Sequence, residues 1–158
     1  MLAFQITGQK DFMNKLLGGD LFHEFDLKEA TVSAAVNYYM DGHKNQDYFE
    51  EEQREEYISF PDARNILFQM IKGKRTPVSF RITLHLNRKS VKQIEEKLKL
   101  DLEQMMISHL VLNIRFEQGE MQLVSAVDYA DFTLDKEFEK RWDHMIHQIL
   151  TNNDICFK

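Results

Sequence analysis

The chain has 158 residues, 43% of them hydrophobic and 29% charged, with a formal net charge of -6. A chain of this length can bury a core without disulfide or metal staples, so we expect one globular domain over residues 1–158. The composition excludes a disordered chain, and the acidic balance excludes a protein that coats nucleic acid through bulk charge.

The single cysteine, Cys156, lies three residues from the C-terminus and cannot form an internal disulfide. We therefore expect an inert tail thiol and no oxidising compartment. No apolar run approaches the roughly 20 residues that span a bilayer, and the first residues lack the basic region of a signal peptide. These features predict a cytoplasmic protein that does not contact a membrane.

The first 20 residues predict a strand followed by a helix. The strand covers Leu2 to Ile6, and Thr7 is expected to cap the helix that follows. Gly18 and Gly19 are expected to end it, because glycine adopts a left-handed conformation at low cost. The apolar stripe of this helix consists of Phe12, Met13, Leu16 and Leu17.

Residues 25–40 alternate and are rich in strand formers, which predicts one long strand. It is expected to end in a turn at Asp41 and Gly42. Residues 43–57 then form a surface loop, with room for a short second strand around Tyr48 and Phe49.

A second helix is predicted to begin at Ser59, with Pro61 in its first turn and Asp62 at the capping-box position. Gly73 is expected to end it. Its apolar stripe consists of Ala63, Ile66, Leu67, Met70 and Ile71.

After Pro77 comes a strand with strict alternation. Its core face is predicted to carry Phe80, Ile82, Leu84 and Leu86. Its opposite face is predicted to carry Arg81, Thr83 and His85.

The last 70 residues predict a helix, a hairpin and a final helix. Ser90 begins the first helix, whose stripe is Val91, Ile94, Leu98, Leu102 and Met105. Residues 110–116 and 121–127 then pair across a tight turn at Gln118 and Gly119. The final helix opens at Leu134 and Asp135, buries Trp142, and ends at residues 152–153.

The predicted order is β-α-β-(β)-α-β-α-β-β-α. This order predicts an α+β fold in which an antiparallel-rich mixed sheet carries its helices mainly on one face. Residues 4–7 and 80–83 read Phe-Gln-Ile-Thr and Phe-Arg-Ile-Thr. Each is followed by a helix, a strand and a glycine turn, which indicates a weak internal β-α-β-β duplication.

Charge is segregated along the sequence. Residues 47–62 contain seven acids and one base, whereas residues 72–94 contain seven bases and no acid. Clustered bases can hold phosphate or another anion. The anion-binding candidates are Lys72, Lys74, Arg75, Arg81, His85, Arg88, Lys89 and Arg115. The alternative is that the basic segment 72–92 is solvated or neutralised by the acidic segment 47–62.

A possible metal site lies on the final helix, where Asp143, His144 and His147 stand three and four residues apart. The pattern is not His-Glu-x-x-His, so solvated surface residues are the competing interpretation. Glycine-rich phosphate loops and a G-x-S-x-G elbow are absent from the sequence. No cofactor is therefore predicted.

The chain resembles a known family in three stretches and one residue pair. These are Met1 to Leu17, Ile71 to Pro77, Phe132 to Lys136, and the pair Trp142 and Asp143. The family is one of small uncharacterised bacterial proteins, a domain of unknown function found mostly in anaerobic Gram-positive species. The resemblance covers nearly the whole chain and implies a bacterial cytoplasmic protein. It carries no activity, ligand or catalytic residue.

These observations favour a non-catalytic binding module with an anionic partner, either an acidic protein or nucleic acid. The second hypothesis is a metal-dependent enzyme that uses the Asp143 cluster. The third is a self-associating structural protein, similar to DNA sliding clamps in architecture only.

Overall fold

The computed structural model describes residues 1–49 and 55–158. Within these residues the strands are β1 (Leu2–Ile6), β2 (Phe25–Ser33), β3 (Asn37–Asp41), β4 (Ser79–Leu86), β5 (Ile107–Glu117) and β6 (Glu120–Tyr129). The helices of the same two ranges are α1 (Gln9–Gly18), α2 (Phe60–Ile71), α3 (Arg88–Leu98) and α4 (Glu137–Asn152). Among the described residues, no helix is both long and apolar enough to cross a membrane.

The strands form one open sheet in the order β1-β6-β5-β4-β2-β3, and every neighbouring pair is antiparallel. The predicted α+β class and the order of elements are confirmed. The order β-α-β-β does occur twice, but the two halves pair differently: β4 pairs with β5, whereas β1 pairs with β6 instead of β2.

One face of the sheet carries the main core. Apolar side chains of α1, α2 and α4 pack on it, which confirms the prediction that helices lie mainly on one side. The core includes Phe12, Leu16, Phe60, Leu67, Ile82, Leu84, Trp142 and Ile146. Trp142 is only 1% exposed, as predicted, and its indole N–H donates to the carbonyl oxygen of Val111 at 3.0 Å.

The hairpin of β5 and β6 is also confirmed. Gln118 and Gly119 adopt positive φ angles of 53° and 77°. Two such residues form the tight turn that matches the twist of an antiparallel pair.

The prediction of one long strand over residues 25–40 is wrong. The chain turns at residues 34–36, and β2 and β3 pair as a hairpin in which Ser33 faces Asn37. Tyr48 lies in a turn, so the extra strand expected around it is β3 instead. Residues 50–54, part of the predicted loop and of the acidic segment, lie outside the described residues.

Several helix boundaries also differ from prediction. Gly8, not Thr7, precedes α1, and Gly19 ends it in an extended conformation. Asn87 caps α3 by accepting from the backbone N–H of Ser90, which was the predicted start. Lys99 ends α3 in the left-handed conformation, so the predicted positions 102 and 105 fall outside the helix.

Two further corrections concern α2 and α4. Ile66, predicted to lie on the buried stripe of α2, is 52% exposed, and Phe60 joins the core instead. The final helix begins at Glu137, three residues after the predicted start. The predicted capping of α2 is confirmed, because the Ser59 hydroxyl accepts from the backbone N–H of Asp62.

The chain just before α2 pairs with the sheet through its backbone. Residue Ile58 exchanges backbone hydrogen bonds with Leu27 and Gly42, and Tyr57 forms a bridge with His43. A Cβ atom at Gly42 would stand 1.8 Å from the carbonyl oxygen of Leu27, so only glycine fits. This pairing places the side chain of Tyr57 against His85, on the second face of the sheet.

Candidate metal centre

Three potential metal ligands converge on the second face of the sheet. His85, His109 and Asp128 come from β4, β5 and β6, and each offers a ligand atom within 4.8 Å of the other two. Nε2 of His85 lies 3.9 Å from a carboxylate oxygen of Asp128. We call these three residues the histidine cluster.

The strand register brings the cluster together. His109 and Asp128 are direct cross-strand partners, and His85 pairs with Val111, two residues beyond His109 on β5. A β-bulge between Ile107 and His109 inserts one extra residue, Ser108, into β5. Because of this insertion, Ile107 stays in the main core while His109 faces the opposite side.

His85 is the most unusual member. Its side chain is buried, with 2% of the residue exposed, and among the described residues neither ring nitrogen has a hydrogen-bond partner. Burial, reinforced by the nearby positive charge of His109, Lys28 and His43, lowers the pKa of His85 to about 3. The imidazole is therefore neutral at physiological pH, which is the form that binds a metal.

Aromatic rings enclose the cluster. The rings of His85 and His109 stack with their centroids 4.1 Å apart. The ring of Tyr57 packs edge-on against the ring of His85, with the two centroids 5.2 Å apart. The centroid of the Tyr57 ring lies 4.5 Å from that of the His43 ring. The Nδ1 atom of His43 is 2.7 Å from the carboxylate of Asp41, which fixes this outer ring.

A cavity of about 600 Å³ opens beside the two histidines. Its polar lining consists of Asp26, Glu55, Glu56, Tyr57, His85, Arg88, Lys89, Lys92, Ser108 and His109. Asp26 is the cross-strand partner of His85, and burial raises its pKa to about 6, although nearby Lys44 opposes the shift. The cavity thus combines His85 and His109 with a carboxyl group whose pKa is raised to about 6.

The predicted anion-binding residues do not form one common surface. Lys72, Lys74 and Arg75 line a separate cavity beside α1 and α2. Arg81 and Arg115 are exposed cross-strand partners on the second face of the sheet.

The remaining three anion-binding candidates, His85, Arg88 and Lys89, line the cavity at the histidine cluster. Glu55 and Asp62, from the described part of the acidic segment, line a neighbouring cavity together with Arg88 and Lys89. Opposite charges of the two segments therefore meet within the molecule at this place.

The predicted ligands on α4 do not converge. Asp143 accepts a short hydrogen bond from the buried Ser125 hydroxyl and lies 3.6 Å from the N-terminal ammonium group. His144 and His147 are exposed, with parallel rings 6.4 Å apart, and His147 packs against Phe157. Asp143 lies next to the buried Trp142 and faces the sheet, where it contacts Ser125 of β6.

The sequence patterns did not single out His109 and Asp128 as potential metal ligands, and they assigned His85 to anion binding. The three residues are separated by 24 and 19 positions, so no local spacing joins them. The available signal was the position of His85 on the polar side of an alternating strand whose neighbour also carries a histidine.

Comparison with known proteins gives a family but no activity. The model of DUF5721, a family of unknown function, matches residues 15–158. No curated protein and no solved structure matches the chain. The chain therefore belongs to the DUF5721 family, as its resemblance to a domain of unknown function implied.

Proposed function

We propose that this member of the DUF5721 family binds a divalent transition metal, of the zinc class, through His85, His109 and Asp128. The observation that carries the proposal is the buried imidazole of His85, whose two nitrogens have no partner among the described residues. A buried polar group without a hydrogen bond costs about 1–3 kcal/mol. A metal bond offsets that cost.

The ligand types support zinc. Neutral imidazole nitrogens and a carboxylate are common zinc ligands, and three protein ligands leave one position open. Tetrahedral ligands about 2.1 Å from an ion stand roughly 3.4 Å apart. The ligand atoms of the cluster, which now lie within 4.8 Å of one another, therefore have to approach each other by up to a little over 1 Å. Asp128 can make this movement, because its side chain is 47% exposed.

The cavity beside the cluster is lined by three bases, Arg88, Lys89 and Lys92, and by three acids, Asp26, Glu55 and Glu56. These charges offset one another, so a cation bound at the cluster would supply the excess positive charge. We therefore infer that the bound ion would hold an anionic ligand in this cavity, a narrower form of the anionic-partner hypothesis.

Hydrolysis is the second candidate function, favoured by Asp26. Bound zinc lowers the pKa of its water to about 7, and a carboxyl group with a pKa near 6 is suited to accept a proton from it. Hydrolytic activity that requires zinc and is lost in Asp26→Asn, while zinc binding is kept, distinguishes this function from ligand binding alone.

Calorimetric titration of zinc into the metal-free protein tests the proposal. We expect one ion per chain in the wild type, no binding in His85→Leu, and at least about tenfold weaker binding in Asp128→Asn. The matched control removes both exposed histidines of α4, His144→Gln with His147→Gln. Unchanged binding in the cluster variants, or its loss in the control, contradicts the proposal.

We also propose a bacterial cytoplasmic location, supported by the single cysteine and by the family resemblance. Self-association stays a prediction. Light scattering that gives the mass of one 18.8 kDa chain contradicts it.

A further inference from the structure

A second cavity, separate from the histidine cluster, combines apolar walls with positive charge. It has a volume of about 800 Å³ and lies between α1, the end of α2, the loop 72–77 and the ends of three strands. We call it the basic cavity. Its volume is in the range of small-molecule sites, which is about 300–1,000 Å³.

The walls of the basic cavity carry apolar as well as polar side chains. The apolar ones come from α1, α2, β4, β5 and β6, among them Met13, Leu17, Phe68, Ile71, Phe80 and Phe116. Phe68 is 40% exposed, although it lies on a helix that packs against the core. A wall of this kind favours a ligand with an apolar body, because contact removes hydrocarbon surface from water.

The charged side chains that line the basic cavity are all positive. Lys10, Lys72, Lys74 and Arg75 line the cavity, and no acidic residue among those that the structure describes does, although 26 of the 158 residues of the chain are acidic. Within residues 1–49 and 55–158, none of these four cations lies within 4.0 Å of a carboxylate. Crowded like charges destabilise a fold unless something offsets them, and here no internal carboxylate does.

We propose that the basic cavity binds a free single-chain amphiphile with an anionic headgroup, the apolar chain on the phenylalanine and methionine side chains and the headgroup at Lys74 and Arg75. Arg forms paired hydrogen bonds with carboxylate and phosphate, and Lys adds a point charge. The apolar side chains of the walls favour this ligand over a fully polar polyanion, which has no apolar part to contact them. The concave shape of the site favours a free small molecule over the flat surface of a membrane.

Calorimetry with dodecanoate, below its critical micelle concentration and with EDTA present, tests this inference. We expect saturable binding of dodecanoate and at least about tenfold weaker binding of dodecyltrimethylammonium, which has the same chain and the opposite charge. Acetate and inorganic phosphate, which have no chain, are expected not to bind detectably. Equal binding of the two amphiphiles overturns the proposal, as does equally strong binding of acetate or phosphate.

Two charge-reversal variants locate the site. Lys74→Glu with Arg75→Glu is expected to weaken dodecanoate binding about tenfold or more. Arg81→Glu with Arg115→Glu makes the same charge change on the other face of the sheet and is expected to change binding less than about twofold. Equal loss in both variants, or retention on vesicles containing anionic lipid without binding of free dodecanoate, overturns the inference.

Discussion

The imidazole rings of His85 and His109 stack at a centroid distance of 4.1 Å with their planes inclined by 21°. Burial is the main cause of the low pKa of His85, and the positive charge of His109 adds to it. The imidazole of His85 is therefore held as a neutral base beside the carboxylate of Asp128. Nothing else among the described contacts satisfies the nitrogens of His85.

Removing this buried polar group is expected to stabilise the metal-free protein. His85→Leu replaces an unpartnered imidazole by an apolar side chain of similar size, so we expect the free energy of unfolding to rise by about 1 kcal/mol in EDTA. Urea unfolding measures this change. A loss of more than about 1 kcal/mol indicates that His85 is a packing residue and not a ligand.

Asp26 is expected to make stability depend on pH. Its pKa is about 6 in the folded protein and 3.8 as a model value, so the folded state disfavours the charged form. The native state is therefore penalised progressively as pH rises from about 4 to above 6. A difference of about two pKa units sets a ceiling near 3 kcal/mol, which solvent screening reduces to about 1–2 kcal/mol.

Asp26→Asn removes this penalty. In EDTA we expect the variant to match the wild type near pH 3.5 and to be more stable near pH 8. Denaturant unfolding at the two pH values measures the difference. A stability gap that grows toward acidic pH has the wrong sign for this explanation.

Gly42 is expected to be essential for the pairing that places Tyr57 against His85. A Cβ atom would clash with the carbonyl oxygen of Leu27, whose backbone N–H donates to the carbonyl oxygen of Ile58 in the segment that carries Tyr57. Gly42→Ala is therefore expected to destabilise the protein by about 2 kcal/mol or more and to weaken zinc binding. Gly18→Ala, where the added atom meets nothing within 4 Å, is the control and is expected to leave zinc binding unchanged and stability equal or slightly higher, because Gly18 is the last residue of α1.

Trp142 anchors α4 on the sheet. Trp142→Ala removes a side chain that is 1% exposed, together with its hydrogen bond to Val111, so we expect a loss of about 3–5 kcal/mol. The native indole fluorescence is expected to be blue-shifted. Emission at the longer wavelength of a water-exposed indole contradicts this role, as does a loss of less than about 1 kcal/mol in the free energy of unfolding.

Local patterns were enough to predict most of the sheet. The β5–β6 hairpin follows from alternation on both sides of Gln118 and Gly119, because a residue pair with positive φ forms a tight turn. The break between β2 and β3 could not be found in this way. The turn at residues 34–36 contains neither glycine nor proline, and Ala34 instead binds the carbonyl oxygen of Val36 through its backbone N–H.

The metal centre depends on information that a local pattern does not carry. Alternation placed His85 correctly on the face opposite the core, but it could not show that the side chain of Tyr57 packs against His85 there, where His85 is buried. The position of His109 depends on the extra residue Ser108, and its pairing with Asp128 depends on the register of two strands. The Asp143 cluster looked more favourable because its spacing is visible within one helix.

The central claim is that zinc binds at the histidine cluster, and anomalous diffraction at the zinc absorption edge tests it most directly. In crystals of the zinc-loaded protein we expect one strong peak about 2.1 Å from a ring nitrogen of His85, a ring nitrogen of His109 and a carboxylate oxygen of Asp128. A peak at His144 and His147 on α4, or no peak at the cluster in fully loaded crystals, contradicts the assignment.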